Sequence, residues 1–251
     1  MRLLLISTTL AIACEVAVCQ QGVPTLSSQD LKAASYEYQN YISARLVQRH
    51  ETLANSAPYF ADGSRGYEVA PSFEIGTLPV KGERVQDSTV LLGAEACRAQ
   101  AVVIGQLQSS TVYPISGDRG LVTAYAFWVV DSLQGNVTAG STVTAVEFGG
   151  ELQNGTTLER VAIRNVVPFK AGQQYLLFLN KASGYTSAAF FLGSYDRVRF
   201  NNRELVASGR PSDEIITNPV SSGETLASFR SKLSAAKAKF MQTHEQTTSC
   251  Q

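Results

Sequence analysis

The sequence predicts a mainly β fold with flanking helices, and three features support this prediction. Strand-like segments, rich in β-branched and aromatic residues, follow one another from residue 101 to residue 200 with short turn signals between them. An amphipathic helical pattern precedes these segments, and a second one follows them. Many short antiparallel strands without intervening long helices are typical of a barrel or a sandwich. We therefore expect such a β core with one N-terminal and one C-terminal helix.

The chain begins with "MRLLLISTTLAIACEVAVC", which has the layout of a secretory signal peptide. One arginine precedes an apolar stretch from Leu3 to Ala13, which is too short to cross a bilayer as a mature helix. Small residues allow cleavage after Ala13 or after Cys19. A lipid anchor at Cys14 is a third option, ranked below plain secretion because Ala11 stands where a lipoprotein box usually has leucine. We expect a secreted or periplasmic protein with no transmembrane segment in the mature chain.

An amphipathic helix is expected over residues 27–55. Its apolar side chains recur every three or four positions, and serine caps with an acidic first turn mark its start. We expect it to pack across the strands rather than to hold a partner. Residues 56–90 are rich in proline, glycine and serine, which predicts a long connection with at most one short extended piece. The predicted organisation is a signal peptide at 1–19, a helical extension and linker at 20–96, and the main domain at 97–251.

The main domain contains six strand-like segments. They span residues 101–113, 120–133, 141–153, 156–163, 174–181 and 185–200. Asn154-Gly155 is the sharpest turn signal, because a type I′ turn needs two residues at positive φ and these two tolerate it. Gly149-Gly150 precedes no helix, so a bulge or a kink in the strand is favoured over a phosphate-binding loop.

The second of these segments is apolar on both faces. Tyr125, Phe127 and Val129 alternate with Ala126, Trp128 and Val130. Successive side chains of a strand point to opposite faces of the sheet. The pattern therefore predicts a central strand that is covered on both sides.

A second helix is expected near the C-terminus. Ser221 and Glu224 have the spacing of a capping box, and Lys237 and Lys239 lie near the end where the helix dipole favours cations. One apolar stripe is predicted to face the core, formed by Leu226, Phe229, Leu233, Ala236 and Phe240.

The cysteine count depends on export. If Cys14 and Cys19 leave with the signal peptide, Cys97 and Cys250 remain as a pair in an oxidising compartment. The alternative is two unpaired thiols. On the chain-entropy model, a bridge of this length would constrain the unfolded chain by about 5 kcal/mol, and usually less in practice.

Three segments occur in a characteristic order: "ACRAQAVVIGQL" at 96–107, "YAFWVVDSLQGN" at 125–136 and "AGQQYLLFLNKASGYTSAAFFL" at 171–192. Together with a terminal helix that closes on a cysteine, they resemble the family of tissue inhibitors of metalloproteinases (TIMP) and netrin modules. The resemblance implies an OB-like five- or six-stranded antiparallel barrel with attached helices. In that family the cysteine before the first strand pairs with the cysteine after the last helix, which implies a bridge between Cys97 and Cys250.

One family feature does not match. Metalloproteinase inhibitors of this family begin the mature chain with Cys-x-Cys, which chelates the zinc of the enzyme. Here Cys14, in "CEVAVC", has the wrong spacing and lies far ahead of the barrel. We therefore do not expect inhibition by zinc chelation.

Residues that carry catalysis or bind metals are not apparent. His50 and His244 are the two histidines, and neither belongs to a cluster of metal-ligating residues. There is no G-x-S-x-G motif, and the S-x-x-K pattern of Ser234 and Lys237 is interpreted as the exposed face of the last helix. With 21 basic and 21 acidic residues, the chain has no net field that would attract nucleic acid. No catalytic, cofactor-binding or metal-binding residue is predicted.

Two further sets of residues bear on recognition. OB barrels bind single strands or sugars with exposed aromatic platforms. Five aromatic residues are candidates, although strands this apolar more often bury them: Trp128, Tyr175, Phe178, Phe190 and Phe191. Asn136 and Asn154 head N-glycosylation motifs on predicted turns.

These observations predict a secreted, non-catalytic interaction module of the TIMP and netrin-like class. Its expected partner is another extracellular or envelope protein rather than nucleic acid. Two alternatives stay open at this point: a protease inhibitor that acts through surface loops, and a hydrolase whose catalytic residues are scattered along the sequence.

Overall fold

The structure is a computed structural model that describes residues 23–37, 65–69, 88–115, 120–163, 168–182, 184–186, 189–192, 198–206, 221, 223–243 and 250. Most of these residues lie in strands, so the predicted mainly β class is confirmed. In chain order the elements are α1 (28–37), β1 (Arg65–Val69), α2 (Ser88–Arg98), β2 (Ala101–Ile115), β3 (Gly120–Gly135), β4 (Thr142–Phe148), β5 (Gly150–Asn154), β6 (Thr157–Ile163), β7 (Gln174–Lys181), β8 (Ala189–Leu192), β9 (Arg199–Asn201), β10 (Glu204–Val206), β11 (Glu224–Thr225) and α3 (Leu226–Thr243).

Five strands close into a ring. β2 pairs antiparallel with β3 and β7, and β3 pairs antiparallel with β4. β8 closes the ring because it pairs with β4 on one side and with β7 on the other. The predicted barrel is therefore present as a closed ring, but the prediction that it is antiparallel throughout is wrong, since β8 runs parallel to β4. β8 follows β7 after a short connection and pairs antiparallel with it, and its parallel pairing with β4 follows from closure of the ring rather than from a local sequence pattern.

Alternate residues of all five ring strands fill the interior. Phe127, Val129 and Val103 are 0% exposed there, as is Leu179. Phe169, from the loop before β7, packs edge-on against Phe127 with ring centroids 5.2 Å apart. Burial of this much apolar surface is the main stabilising term of such a core.

Helices α2 and α3 cover the outer face of the ring at β2 and β7. The predicted stripe of the terminal helix is confirmed: Phe229, Leu233 and Ala236 pack against this wall, and Phe240 is buried beside α2. The start of α3 differs from the prediction. Its N-cap is Thr225, whose Oγ1 accepts a hydrogen bond from the Ser228 N–H at 3.3 Å. The expected capping pair, Ser221 and Glu224, forms a turn just ahead of the helix instead.

Helix α1 covers a second part of the outer wall. Leu31 and Ala34 pack against Val122, Ala124 and Val146 of β3 and β4. The expectation that the N-terminal helix packs on the strands is therefore confirmed for residues 28–37, whereas its predicted continuation to residue 55 lies outside the described residues.

The segment between the predicted extension and the barrel holds an unpredicted helix, α2. Its sequence contains β-branched residues and Gly93, which have low helix propensity. The sequence pattern therefore gave no prediction of a helix after the long connection. Packing against α3 stabilises it: a Cβ added at Gly93 would lie 2.7 Å from the Phe240 Cβ. Cys97 lies in α2, and its Cα is 4.5 Å from the Cα of Cys250 in a disulfide. The implied pairing of these cysteines is therefore present.

Two turns correct the sequence reading. The β5–β6 hairpin turns at Gly155 and Thr156, and only Gly155 has positive φ, at 60°. Glycine at the first central position is typical of a type II′ turn, so the type I′ prediction for Asn154-Gly155 is wrong. Two consecutive residues at positive φ occur instead at Asn202 and Arg203, between β9 and β10.

The double glycine behaves as predicted. Gly149 and Gly150 have φ of 108° and 136°; Gly149 separates β4 from β5, and Gly150 is the first residue of β5. The Thr123 hydroxyl donates to the Gly149 carbonyl at 2.6 Å, which fixes the kink. The hairpin of β5 and β6 leaves the ring there and pairs with β1, the short extended piece expected in the linker.

The signal peptide predicted at 1–19 and both histidines, His50 and His244, lie outside the described residues. Within the part of the chain that the structure describes, no helix has the length and apolar character needed to cross a membrane.

Candidate binding surface

The outer face of β3 contains an uncovered apolar segment. Val122 and Ala124 lie under α1, and Ala126 is also buried. Further along the same strand, Trp128 is 37% exposed and Val130 is 39% exposed. The prediction that this strand is covered on both sides is therefore wrong at these two positions, because the covering helices lie to either side of them.

A cross-strand row runs through Trp128. The register places Gln106 of β2 and Thr142 of β4 directly opposite it on the two neighbouring strands, and Gln174 of β7 opposite Gln106. Residues opposite each other in a sheet share a face. We call these four residues together with Val130 the Trp128 surface. It combines one indole and one aliphatic side chain with three uncharged hydrogen-bonding side chains.

The polar groups of this surface are mostly uncommitted. Gln106 Nε2 donates to the Gly172 carbonyl at 3.0 Å, which orients its amide. Among the described residues, the side chains of Trp128, Thr142 and Gln174 have no hydrogen-bond partner. They present donors and acceptors to whatever lies outside the ring.

The backbone under Trp128 is well braced. The Val129 N–H donates to the Ser141 carbonyl at 2.8 Å, and the Gly140 N–H donates to the Val129 carbonyl at 2.8 Å. A Cβ added at Gly140 would lie 4.0 Å from the edge of the Trp128 ring, so the loop runs beside the indole without covering it. An aromatic side chain on a braced strand loses little conformational entropy when it binds.

One ion pair borders the surface. Arg230 of α3 donates to Asp131 at 3.1 Å and to the Ser132 carbonyl at 3.3 Å. Both charged side chains are about half-exposed, so the pair contributes on the order of 0–1 kcal/mol. It marks where α3 meets the exposed part of β3.

The other aromatic candidates are not available for stacking. Tyr175 and Phe178 are 2% and 3% exposed. Phe190 and Phe191 are half-buried against the interior and against the α1 contact. Of the five aromatic residues singled out from the sequence, Trp128 is the most exposed.

The remaining candidate residues are dispersed. Asn136 and Asn154 are exposed, and Asn154 Nδ2 donates to Glu159 at 3.2 Å. Ser234 is exposed and Lys237 half-buried on α3, as expected for the outer part of a helix. Within the described residues no group of three or more metal-ligating side chains comes together.

A second polar cluster fastens α1 to the ring. Asp30 is completely buried. One of its oxygens accepts from the Ser27 N–H at 2.9 Å and from the Ser27 hydroxyl, and the other accepts from the Thr186 N–H at 2.7 Å and from the Thr186 hydroxyl. Burial alone would raise the pKa of Asp30, but these hydrogen bonds outweigh it and lower the pKa to about 2.

This second cluster has a structural role at the start of α1. Asp30 and Ser27 form a capping box for α1, since the Asp30 N–H also donates to the Ser27 hydroxyl at 3.1 Å. Burial raises the pKa of the neighbouring Tyr185, with Glu37 and Asp30 adding to the effect.

No family model and no curated protein matches this chain.

Proposed function

We propose that the protein is an exported, non-catalytic module that binds a partner through the Trp128 surface. One observation carries the proposal: Trp128 lies exposed on a braced strand, between two stretches of wall that helices cover. Leaving part of an indole in water costs free energy that a covering side chain would recover. Tryptophan is also the residue type most enriched among the side chains that dominate binding energy.

The exported location rests on the signal-peptide pattern and on the disulfide. Disulfides persist in oxidising compartments and are rare in the cytosol. The bridge between Cys97 and Cys250 fits a secreted or periplasmic protein for this reason. The partner expected from the sequence is another extracellular or envelope protein.

A TIMP or netrin-like relationship with an OB-like barrel is the finer proposal. It is supported by the closed ring, the helix that follows it and the bridge from that end of the chain to the residue just before β2. The Gln134-Gly135 end of the second of these segments has a structural role in this chain. Gln134 Nε2 donates to the Ala96 carbonyl at 2.7 Å and so joins β3 to the end of α2.

The proposal is tested by affinity capture from the native medium or envelope. Wild type and Trp128→Ala are immobilised side by side. Tyr36→Ala is the matched control, because Tyr36 is an exposed aromatic residue on α1 that does not belong to the Trp128 surface. We expect a component that wild type and Tyr36→Ala retain and Trp128→Ala loses. Equal melting temperatures of the three proteins establish that the fold is intact. Retention of every component by Trp128→Ala would refute this role of the surface.

A further inference from the structure

The tip of the β5–β6 hairpin carries the single Asn-Gly pair of the chain, Asn154-Gly155. Asn154 is the last residue of β5, and its pairing with Thr157 is the last rung of the ladder. Asn154 and Gly155 are both exposed. Water therefore reaches the side chain of the asparagine and the peptide bond that follows it.

The backbone nitrogen of Gly155 is unprotected. In a two-residue hairpin loop the ladder closes between the two flanking residues, so the N–H of the first loop residue points away from it. Within the part of the chain that the structure describes, the Gly155 N–H has no hydrogen-bond acceptor, whereas its carbonyl accepts from Gln153 Nε2 at 2.9 Å. A Cβ added at Gly155 would meet no atom within 4 Å, and glycine has no side chain that could shield its own nitrogen.

The side-chain amide of Asn154 is within bonding reach of this nitrogen. A bond between the Asn154 Cγ and the Gly155 nitrogen closes a five-membered ring and needs only rotation about the two single bonds at the Asn154 Cα. The described contact of the amide is the hydrogen bond from Asn154 Nδ2 to Glu159 at 3.2 Å, in exposed surroundings. Opening of the one terminal rung frees both rotations, and the ends of elements open at little cost in free energy.

We propose that Asn154 is a site of spontaneous deamidation, which converts the tip of the hairpin to isoaspartate. The Gly155 nitrogen attacks the Asn154 Cγ, the Cγ–Nδ2 bond breaks, and Nδ2 leaves as ammonia with the proton of the Gly155 nitrogen. Water then opens the cyclic imide. Where water adds to the former backbone carbonyl, the chain continues through Cβ and Cγ, and a new carboxylate remains on Cα.

The product is incompatible with the hairpin end. Isoaspartate adds one carbon to the backbone, so the rung between residue 154 and Thr157 loses its register. The new carboxylate also lies close to Glu159, where the amide of Asn154 donates a hydrogen bond at present. Like charges on neighbouring positions of a ladder are destabilising. We therefore expect the modified hairpin to open from its tip.

Peptide mass mapping of aged protein tests the modification. The full chain is exported to a bacterial periplasm, where the disulfide forms and Asn154 carries no glycan, and it is then incubated at neutral pH. We expect the mass gain of deamidation, with isoaspartate, to accumulate at Asn154. Asn136 is the internal control: it is also exposed, but the β-branched Val137 shields the nitrogen that follows it, so it should stay intact. Equal modification of Asn136 and Asn154 would overturn the assignment.

The contribution of the fold is measured by running the same incubation in urea. Because the native tip leaves the Gly155 nitrogen free, the folded protein should lose Asn154 at a rate within a few fold of the unfolded chain. A folded protein that keeps Asn154 intact while the unfolded chain loses it would refute the proposal.

The matched variant is Asn154→Gln. It keeps the amide, but its longer side chain would have to close a six-membered ring, so the modified species should be absent after the same incubation. Hydrogen exchange read by mass spectrometry should then be faster over residues 150–163 in aged wild type than in aged Asn154→Gln. Equal exchange in the two proteins, with isoaspartate present in wild type, would overturn the predicted opening of the hairpin.

Discussion

Replacement of Asp30 by asparagine removes the charge that holds α1 to the ring. In the folded protein the pKa of this carboxyl is about 2, against 3.8 for an unperturbed aspartate. The difference of about 1.8 units corresponds to about 2.5 kcal/mol, since one unit is worth about 1.4 kcal/mol. The asparagine side chain keeps the shape of the aspartate but supplies a single acceptor oxygen, so Asp30→Asn is expected to be destabilised by about that amount at neutral pH.

The pH dependence follows from the direction of the shift. The folded protein favours the charged form of Asp30 more than the unfolded chain does. The resulting stabilisation is therefore present above pH 3.8 and is lost as the pH falls toward 2. Above about pH 5, urea unfolding should therefore give a constant difference between wild type and Asp30→Asn. That difference should shrink as the pH is lowered through 3.

Asp131→Asn is the matched control for this experiment. Asp131 is half-exposed in its pair with Arg230, so its replacement should change the free energy of unfolding by less than about 1 kcal/mol. If the difference in free energy of unfolding between wild type and Asp30→Asn stays constant from pH 6 to pH 2, the charge of Asp30 does not stabilise the contact of α1 with the ring. A loss of unfolding free energy no larger than that of Asp131→Asn would lead to the same conclusion.

Three further changes test the packing around α2. Gly93→Ala is expected to destabilise by about 1–3 kcal/mol, measured by urea unfolding, because the added Cβ meets the Ala236 carbonyl and Phe240 and this outweighs the gain in helix propensity; a stabilised variant would contradict the packing. Gln134→Ala should lose about 1 kcal/mol through the bond to Ala96, and an unchanged melting temperature would show that water replaces it. Replacing both Cys97 and Cys250 by serine removes a closure of 153 residues and should lower stability by up to about 5 kcal/mol; an unchanged urea midpoint relative to wild type would count against it.

The elements with a strong period were predictable from the sequence. Phe229 and Leu233 recur at helical spacing, and their burial against the ring follows directly from it. Phe127 and Val129 alternate at strand spacing and indeed face the interior. In each case one periodic pattern had one physical solution.

The candidate surface could not be predicted in this way. The alternation in β3 assigns Trp128 and Val130 to one face but does not reveal what covers that face. Their exposure depends on where α1 and the α2–α3 pair stop, and α2 itself was missed because tertiary packing rather than local propensity stabilises it. The neighbours of Trp128 depend on the pairing register, which bulges in β2 and β3 shift along the hairpin.

The way the ring closes also predicts an order of assembly. The long β2–β3 hairpin joins residues that are close in the chain, so it is the natural first structure to form. The last place in the ring is taken by β8, a four-residue segment that must find partners on both sides at once. Cys250 follows α3, so the bond to Cys97 can form only after all five strands of the ring have been synthesised. A ribosome-bound fragment that ends before β8 would therefore hold a four-stranded sheet with unpaired edges at β4 and β7, a state that invites misassociation until β8 arrives.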